Sequence, residues 1–237
     1  MMKKLLPLII LFLLINIYAN GQDDVRSICI KINGLNTRVL NGSIKRTEAA
    51  KEFKQLIGEI KGIMPVNDTW VFPLQGYKTS AIGGINGNGY SDEGYNYLDG
   101  NKHTAHPAHD IFINDKNQDA LDDKTGKPVS VLAVDDGVII ACNNEWETTS
   151  AMRGGKFIWV YHISTGTISY YAHNRAIFVQ PGDAVKRGQK IAEVGRTGFS
   201  AYKKRSPTHL HFSAFQLKDG LPVPYNPYQK LKQSEKR

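Results

Sequence analysis

The chain has 237 residues, a formal net charge of +8 and 41% hydrophobic side chains, enough for one domain with a sizeable core and a smaller accessory segment. A basic chain of this kind is drawn to nucleic acid, anionic lipid or the acidic polymers of a cell envelope. No aromatic-interleaved basic motif supports the first, and beyond the N-terminus no apolar run is long enough to cross a bilayer.

Met1-Met-Lys-Lys4 precedes an apolar run from Leu5 to Tyr18 and the small-residue stretch Ala19-Asn-Gly21. Basic, apolar and small-residue regions in that order read as a secretory signal peptide over 1–21, too short and wrongly flanked for a spanning helix. Its removal takes Lys3 and Lys4 and lowers the charge from +8 to +6. The expected destination is the periplasm or the extracellular cell envelope, without stable membrane insertion and away from nucleic acid.

Residues 22–69 form an N-terminal segment. Thr47 can cap a helix from Glu48 to about Lys61, on which Phe53, Leu56, Ile57 and Ile60 share one face and Gly62 and Pro65 end the run. Such an apolar stripe packs on a neighbouring core or serves as an inhibitory or partner-binding element. Cys29 and Cys142 can pair in an oxidising compartment or remain two buried small side chains, and their spacing does not decide between these.

From Trp70 the pattern changes to short β segments between glycine and polar turns. Val129 to Cys142 is interrupted by Asp135-Asp-Gly137, the runs Lys156–Ile163 and Thr167–His173 flank Ser164-Thr-Gly166, and Pro181-Gly-Asp183 makes a further turn. This predicts a mainly antiparallel β domain over 70–228, with a polar tail over 229–237. Gly76 to Lys102 is a long Gly-, Asn-, Tyr- and Ser-rich loop in which Tyr90, Tyr95 and Tyr97 are candidate substrate contacts. Asp115, Asn117, Asp119 and Asp123 stand at loop positions 1, 3, 5 and 9, the spacing with which calcium collects oxygens. Ala120 replaces the turn glycine and Gly126 the terminal glutamate, so a solvated acidic loop remains the alternative.

His106-Pro-Ala-His109-Asp110 and His209-Leu-His211, with a lone His173 between them, carry the chemistry. They supply the nitrogen and oxygen donors that a catalytic zinc takes while keeping one position for water. On a strand His209 and His211 face one side and Leu210 the other, so one of the pair can hold metal while its neighbour handles protons. By the same alternation Tyr171 would share a face with His173, where its hydroxyl could support an oxyanion, and Tyr170 would point elsewhere. His103, His109 and His162 read as structural, the first two because neither has an aspartate four residues on. No His-Glu-x-x-His, Gly-x-Ser-x-Gly or nucleophilic-cysteine context is present.

His106-x-x-x-Asp110, Tyr171-Ala-His173, the stretch from Val179 to Gly198 and Thr208-His-Leu-His-Phe212 resemble the lysostaphin-type, LytM-like zinc peptidases of bacterial cell walls. The resemblance covers roughly 70–226. It departs at Ala108, where the family usually has glycine, and in the acidic insertion after Ile113. It implies the duplicated-hybrid-motif β-sandwich with an open active-site groove. It further implies zinc held by His106, Asp110 and His211, chemistry served by His173 and His209, and peptide bonds of peptidoglycan as substrate. A non-enzymatic regulator on the same fold and a zinc endopeptidase of secreted proteins are the alternatives.

Overall fold

The computed structural model describes residues 24–62, 66–67, 69–102 and 104–235. The expected signal peptide over 1–21 and His103 lie outside the described residues. Among those described, no helix is long and apolar enough to cross a membrane.

The N-terminal segment holds two helices where the sequence predicted one. The first, α1, spans 24–40. Its buried Cys29, Ile32, Leu35 and Val39 recur at helical spacing along one face. It stops in a Schellman turn: Gly42 lies at φ 69°, its N–H donates to the Val39 carbonyl, and the Ser43 N–H donates to that of Arg38. The second, α2, runs from Arg46 to Glu59, with Lys45 rather than Thr47 at the N-cap and no side-chain capping bond. The predicted face is nevertheless the buried one: Phe53, Leu56, Ile57 and Ile60 are each 6% exposed or less. Burial of side chains of this size contributes roughly 1.5–3 kcal/mol each, which fixes both helices to the domain.

The larger sheet contains β1 (His109–Phe112), β3 (Gly137–Asn143), β4 (Phe157–His162), β5 (Thr167–Ala172), β7 (Ala184–Val185), β9 (His209–Lys218) and β10 (Leu221–Pro224). Its order is β1-β9-β5-β4-β3-β7, with β10 also paired to β9, while β2 (Ser130–Leu132), β8 (Lys190–Val194) and β6 (Asn174–Ile177) form a three-stranded sheet. All pairings are antiparallel, so the mainly antiparallel β domain expected from the turn spacing is present, in the sandwich form that the resemblance implied. Between the sheets lie Ile111, Val131, Ile158, Tyr171, Ile191 and Phe212. On the opposite face of the larger sheet a second core joins Trp159, Tyr161 and Phe215 to the apolar faces of α1 and α2.

The expectation for the C-terminal tail is corrected, and of the two alternatives for the cysteines the unpaired one is found. The tail assigned to 229–237 includes most of a helix, α3 (Tyr228–Gln233), because Leu231 is fully buried in the inter-sheet core and Lys230 Nζ sits 4.7 Å from the Trp70 ring centroid. Cys29 and Cys142 are both free. Burial pushes their thiols up to about 12 and about 11, so neither is a ready nucleophile.

Candidate metal centre and its cavity

Strand alternation builds the centre. Leu210 and Phe212 of β9 enter the inter-sheet core, which turns His209 and His211 to the other face. On β1, Ile111 does the same and leaves Asp110 on that face, directly across the ladder from His211. The result is a short contact, His211 Nδ1 to Asp110 Oδ1 at 3.1 Å. His106 precedes β1 and bridges to Ser91 of the Gly-rich loop. Its Nδ1 donates to the Gly89 carbonyl at 3.1 Å and its Nε2 lies 3.2 Å from Asp110 Oδ1. The ligand atoms of His106, Asp110 and His211 all lie within 4.8 Å of one another. Two imidazole nitrogens and a carboxylate oxygen converging on one point are a donor set that fits zinc, and the backbone carbonyl behind His106 fixes its tautomer.

His173 and His209 stand beside this set, with ring centroids 4.9 Å apart and His173 5.4 Å from His211. Each donates Nδ1–H to a carbonyl at 2.7 Å, His173 to Thr197 and His209 to Pro207. A carbonyl only accepts, so each Nε2 retains its lone pair for another partner. His209 Nε2 is 3.6 Å from Asp110 Oδ1. Gly198 makes the His173 anchor possible. It lies at φ 114°, and a Cβ there would strike the Arg153 carbonyl oxygen and come within 2.8 Å of His173 Nδ1.

The expectation for Tyr171 is overturned. Its side chain is fully buried between the sheets, its hydroxyl accepts from the Val134 N–H at 2.9 Å, and its ring packs edge-on against Phe212. Tyr170 faces the site instead, edge-on to His211 at 6.1 Å between centroids. The reason is local. β5 ends at Ala172 and His173 takes φ 66°, so the alternation used to pair Tyr171 with His173 breaks at that residue. A φ above zero at a histidine has no sequence signal, which is why Tyr170 was missed.

Electrostatics follow from burial within a cluster of ring nitrogens. Burial alone would raise the Asp110 carboxyl, but hydrogen bonds from His106 and His211 and the charges of His211 and His209 hold it well below the usual carboxylate range. The Asp110 hydrogen bond raises His106. Burial lowers His211, and burial with its histidine neighbours lowers His173 strongly.

The other predicted structural histidines are accounted for. His109 Nε2 meets Asn226 Oδ1 at 2.9 Å, and His162 lies in the core between the Asp136 carbonyl and Ser169. The acidic loop does not gather its oxygens. Asp115 accepts from the Asp119 and Ala120 N–H groups and from Thr208 Oγ1, Asn117 Nδ2 donates to Asp119, and Asp123 accepts from the Lys116 N–H. Among the described residues, the three-residue metal-type group of histidine, cysteine and carboxylate side chains is His106, Asp110 and His211. In this arrangement the short acidic side chains of the loop cap its own backbone.

The antiparallel sandwich thus presents a His–Asp–His donor set that could hold a metal ion at the edge of a cavity. Residues 117–224 match the model of peptidase family M23. That stretch includes His173, His209 and His211. Over 99 residues it is 36% identical to the lipoprotein NlpD/LppB homolog of Pseudomonas aeruginosa, covering 41% of this chain and 28% of that protein. Over 109 residues it is 34% identical to the murein hydrolase activator NlpD of Escherichia coli, covering 45% of this chain and 25% of that one. The chain thus spans about a quarter of the length of these relatives. The catalytic domain of the antimicrobial peptidase lysostaphin from Staphylococcus simulans is a similar solved structure, at 25% identity and TM-score 0.38 over 56% of this chain and 81% of that one.

Proposed function

We propose that the protein is a zinc metalloendopeptidase that hydrolyses peptide bonds in the stems or cross-links of peptidoglycan, acting in the periplasm or extracellular envelope. The observation that carries this reading is the convergence of the His106, Asp110 and His211 ligand atoms within 4.8 Å, with two further histidines beside them. In it, His106, Asp110 and His211 would hold the ion. Zinc in such a setting supplies Lewis acidity toward a carbonyl oxygen and lowers the pKa of water.

The protein's own groups do the rest. His173, anchored by Thr197, and His209, anchored by Pro207, keep their rings from turning and present Nε2 to the cavity. A neutral imidazole in that position accepts a proton from the attacking water and returns it to the departing amine. Burial, which lowers His173, keeps it in the neutral form that this role needs. Tyr170 borders the same cavity and excludes water from one side.

Incubating the mature protein with purified sacculi should release fragments with new amino termini and no new reducing sugar ends. A chelator should stop the release and added zinc restore it. Reducing ends without new amines would overturn the reading in favour of a glycosidase, and cleavage of casein with sacculi intact would favour a protease of secreted proteins. The names of the NlpD relatives favour a second reading, activation of another murein hydrolase without hydrolysis by this chain. Sacculi left intact by this chain alone but digested faster by an added amidase in its presence would establish that reading instead.

A further inference from the structure

A second groove, of about 930 Å³, shares no lining residue with the cavity of the metal centre. Phe112 of β1 lines it, with its ring 5.4 Å from that of His209. Most of the remaining wall comes from 75–82, ahead of β1, and from 122–130, and the Gln75 N–H joins these segments by donating to the Ser130 carbonyl at 3.1 Å.

Three cations border this groove. Lys78, Lys124 and Lys127 are exposed, and among the described residues none of them is in an ion pair. One tight turn presents two of them: the Asp122 N–H donates to the Lys127 carbonyl at 2.9 Å, and Gly126, at φ 63°, donates to the Asp122 carbonyl at 2.8 Å. The acid of the lining is already engaged. Asp122 is 6% exposed, its Oδ1 accepts from the Lys124 and Thr125 N–H groups at 3.0 Å, and its Oδ2 accepts from the Tyr77 hydroxyl. Of the acids nearby, Asp123 accepts from the Lys116 N–H and Glu235 from the Thr79 N–H. Three like charges gathered at one groove focus a positive potential there.

Size and lining define the occupant. The volume lies toward the upper end of the roughly 300–1,000 Å³ typical of ligand sites, room for a short peptide segment. Half-buried Tyr77, Ala81, Phe112 and Pro128 give it an apolar part. An inorganic anion has no use for that surface, and an uncharged apolar ligand has none for the lysines. A peptide with carboxylates beside an apolar side chain uses both.

We propose that this groove is a second binding site, for an acidic stem peptide of peptidoglycan, with its carboxylates at Lys78, Lys124 and Lys127 and an apolar side chain on Phe112 and Pro128. The source of the peptide rests on the function proposed above, and binding rests on the groove alone.

Calorimetric titration of the mature protein with N-acetyl-Glu-Leu-Glu amide tests the groove. The peptide should bind saturably and its Gln-Leu-Gln counterpart at least tenfold more weakly. Combining Lys78→Gln, Lys124→Gln and Lys127→Gln should cost about tenfold or more in affinity at unchanged Tm, because each exposed ion pair is weak alone and the three act together. Combining Lys51→Gln, Lys54→Gln and Lys61→Gln removes the same charge at exposed positions elsewhere and should leave binding as it is. Asp110→Ala should bind the peptide as well, since the lysines are not part of the metal centre. Equal losses in the two lysine triples would reduce the effect to net charge and overturn the site. So would loss of binding in Asp110→Ala, or inorganic phosphate binding as tightly as the peptide. With a chelator present to stop cutting, retention on purified sacculi should fall severalfold in the groove triple, and undiminished retention would overturn stems as the occupant. Sacculi held through the lysines but never digested when zinc is supplied would sink the peptidase reading and leave the groove standing. Digestion by protein that does not bind the peptide would do the reverse.

Discussion

The His106–Asp110–His211 centre and the 115–123 loop are both clusters of metal-type donors, yet they behave in opposite ways. The loop draws its oxygens from nine consecutive residues, so each carboxylate reaches a nearby backbone N–H: Asp115 takes those of Asp119 and Ala120, and Asp123 takes that of Lys116. The centre draws its donors from β1, β9 and the segment before β1, with Asp110 and His211 more than a hundred positions from each other in sequence but opposite each other in the ladder. Strand backbones are already paired, so side chains there find one another or a ligand. Spacing in a loop therefore promises less than register in a sheet.

The largest effect is expected from the centre itself. Asp110→Ala should leave a folded protein that retains zinc well below stoichiometry by metal analysis and has no measurable hydrolysis, because three protein ligands leave little redundancy. Stoichiometric zinc in that variant would break the comparison at its stronger end. His173→Ala and His209→Ala come next. Each should keep its zinc and lose about 100-fold in turnover of a sacculus-derived peptide, the scale of a lost acid–base group. Turnover near the parent value would remove that residue from the chemistry.

Gly198→Ala tests whether backbone geometry holds His173. A side chain at φ 114° against the Arg153 carbonyl should cost about 1–3 kcal/mol, read as a lower Tm, together with a fall in turnover as the ring shifts. A loss of Tm with full turnover would detach Gly198 from the site. In the loop, Asp115→Ala strands two N–H groups and the Thr208 hydroxyl, for a loss of about 1–3 kcal/mol in denaturant unfolding. The smallest effect sharpens the comparison: millimolar calcium added to protein stripped of divalent ions should leave the Tm unchanged. A clear rise would place the loop in the cation-binding class by mass action.

Much of the site could be read from the chain because it depends on short-range periodicity. His209 and His211 share a face, and Phe53, Leu56, Ile57 and Ile60 form a buried stripe, as periods of two and 3.6 require. The same rule failed for Tyr171, since one left-handed residue at His173 reverses the face that follows. Helix α1 had its signal in Val25, Cys29, Ile32, Leu35 and Val39, but Gly34 and Asn36 inside the run weaken it, and burial against the sheet outweighs their poor helix propensity. The final helix was hidden because one residue, Leu231, supplies its anchor.

By itself, then, the order of residues determined the donor types, the turn positions and the faces of single strands and helices, since these depend on neighbours a few residues away. Only the tertiary structure decided which donors meet, that Tyr170 and not Tyr171 borders the centre, that Cys29 and Cys142 stay apart, and that Asn36 and Tyr97 line the histidines' cavity. Those are long-range contacts, set by strand register and by how α1 settles on the sheet, and no local pattern of side chains encodes them.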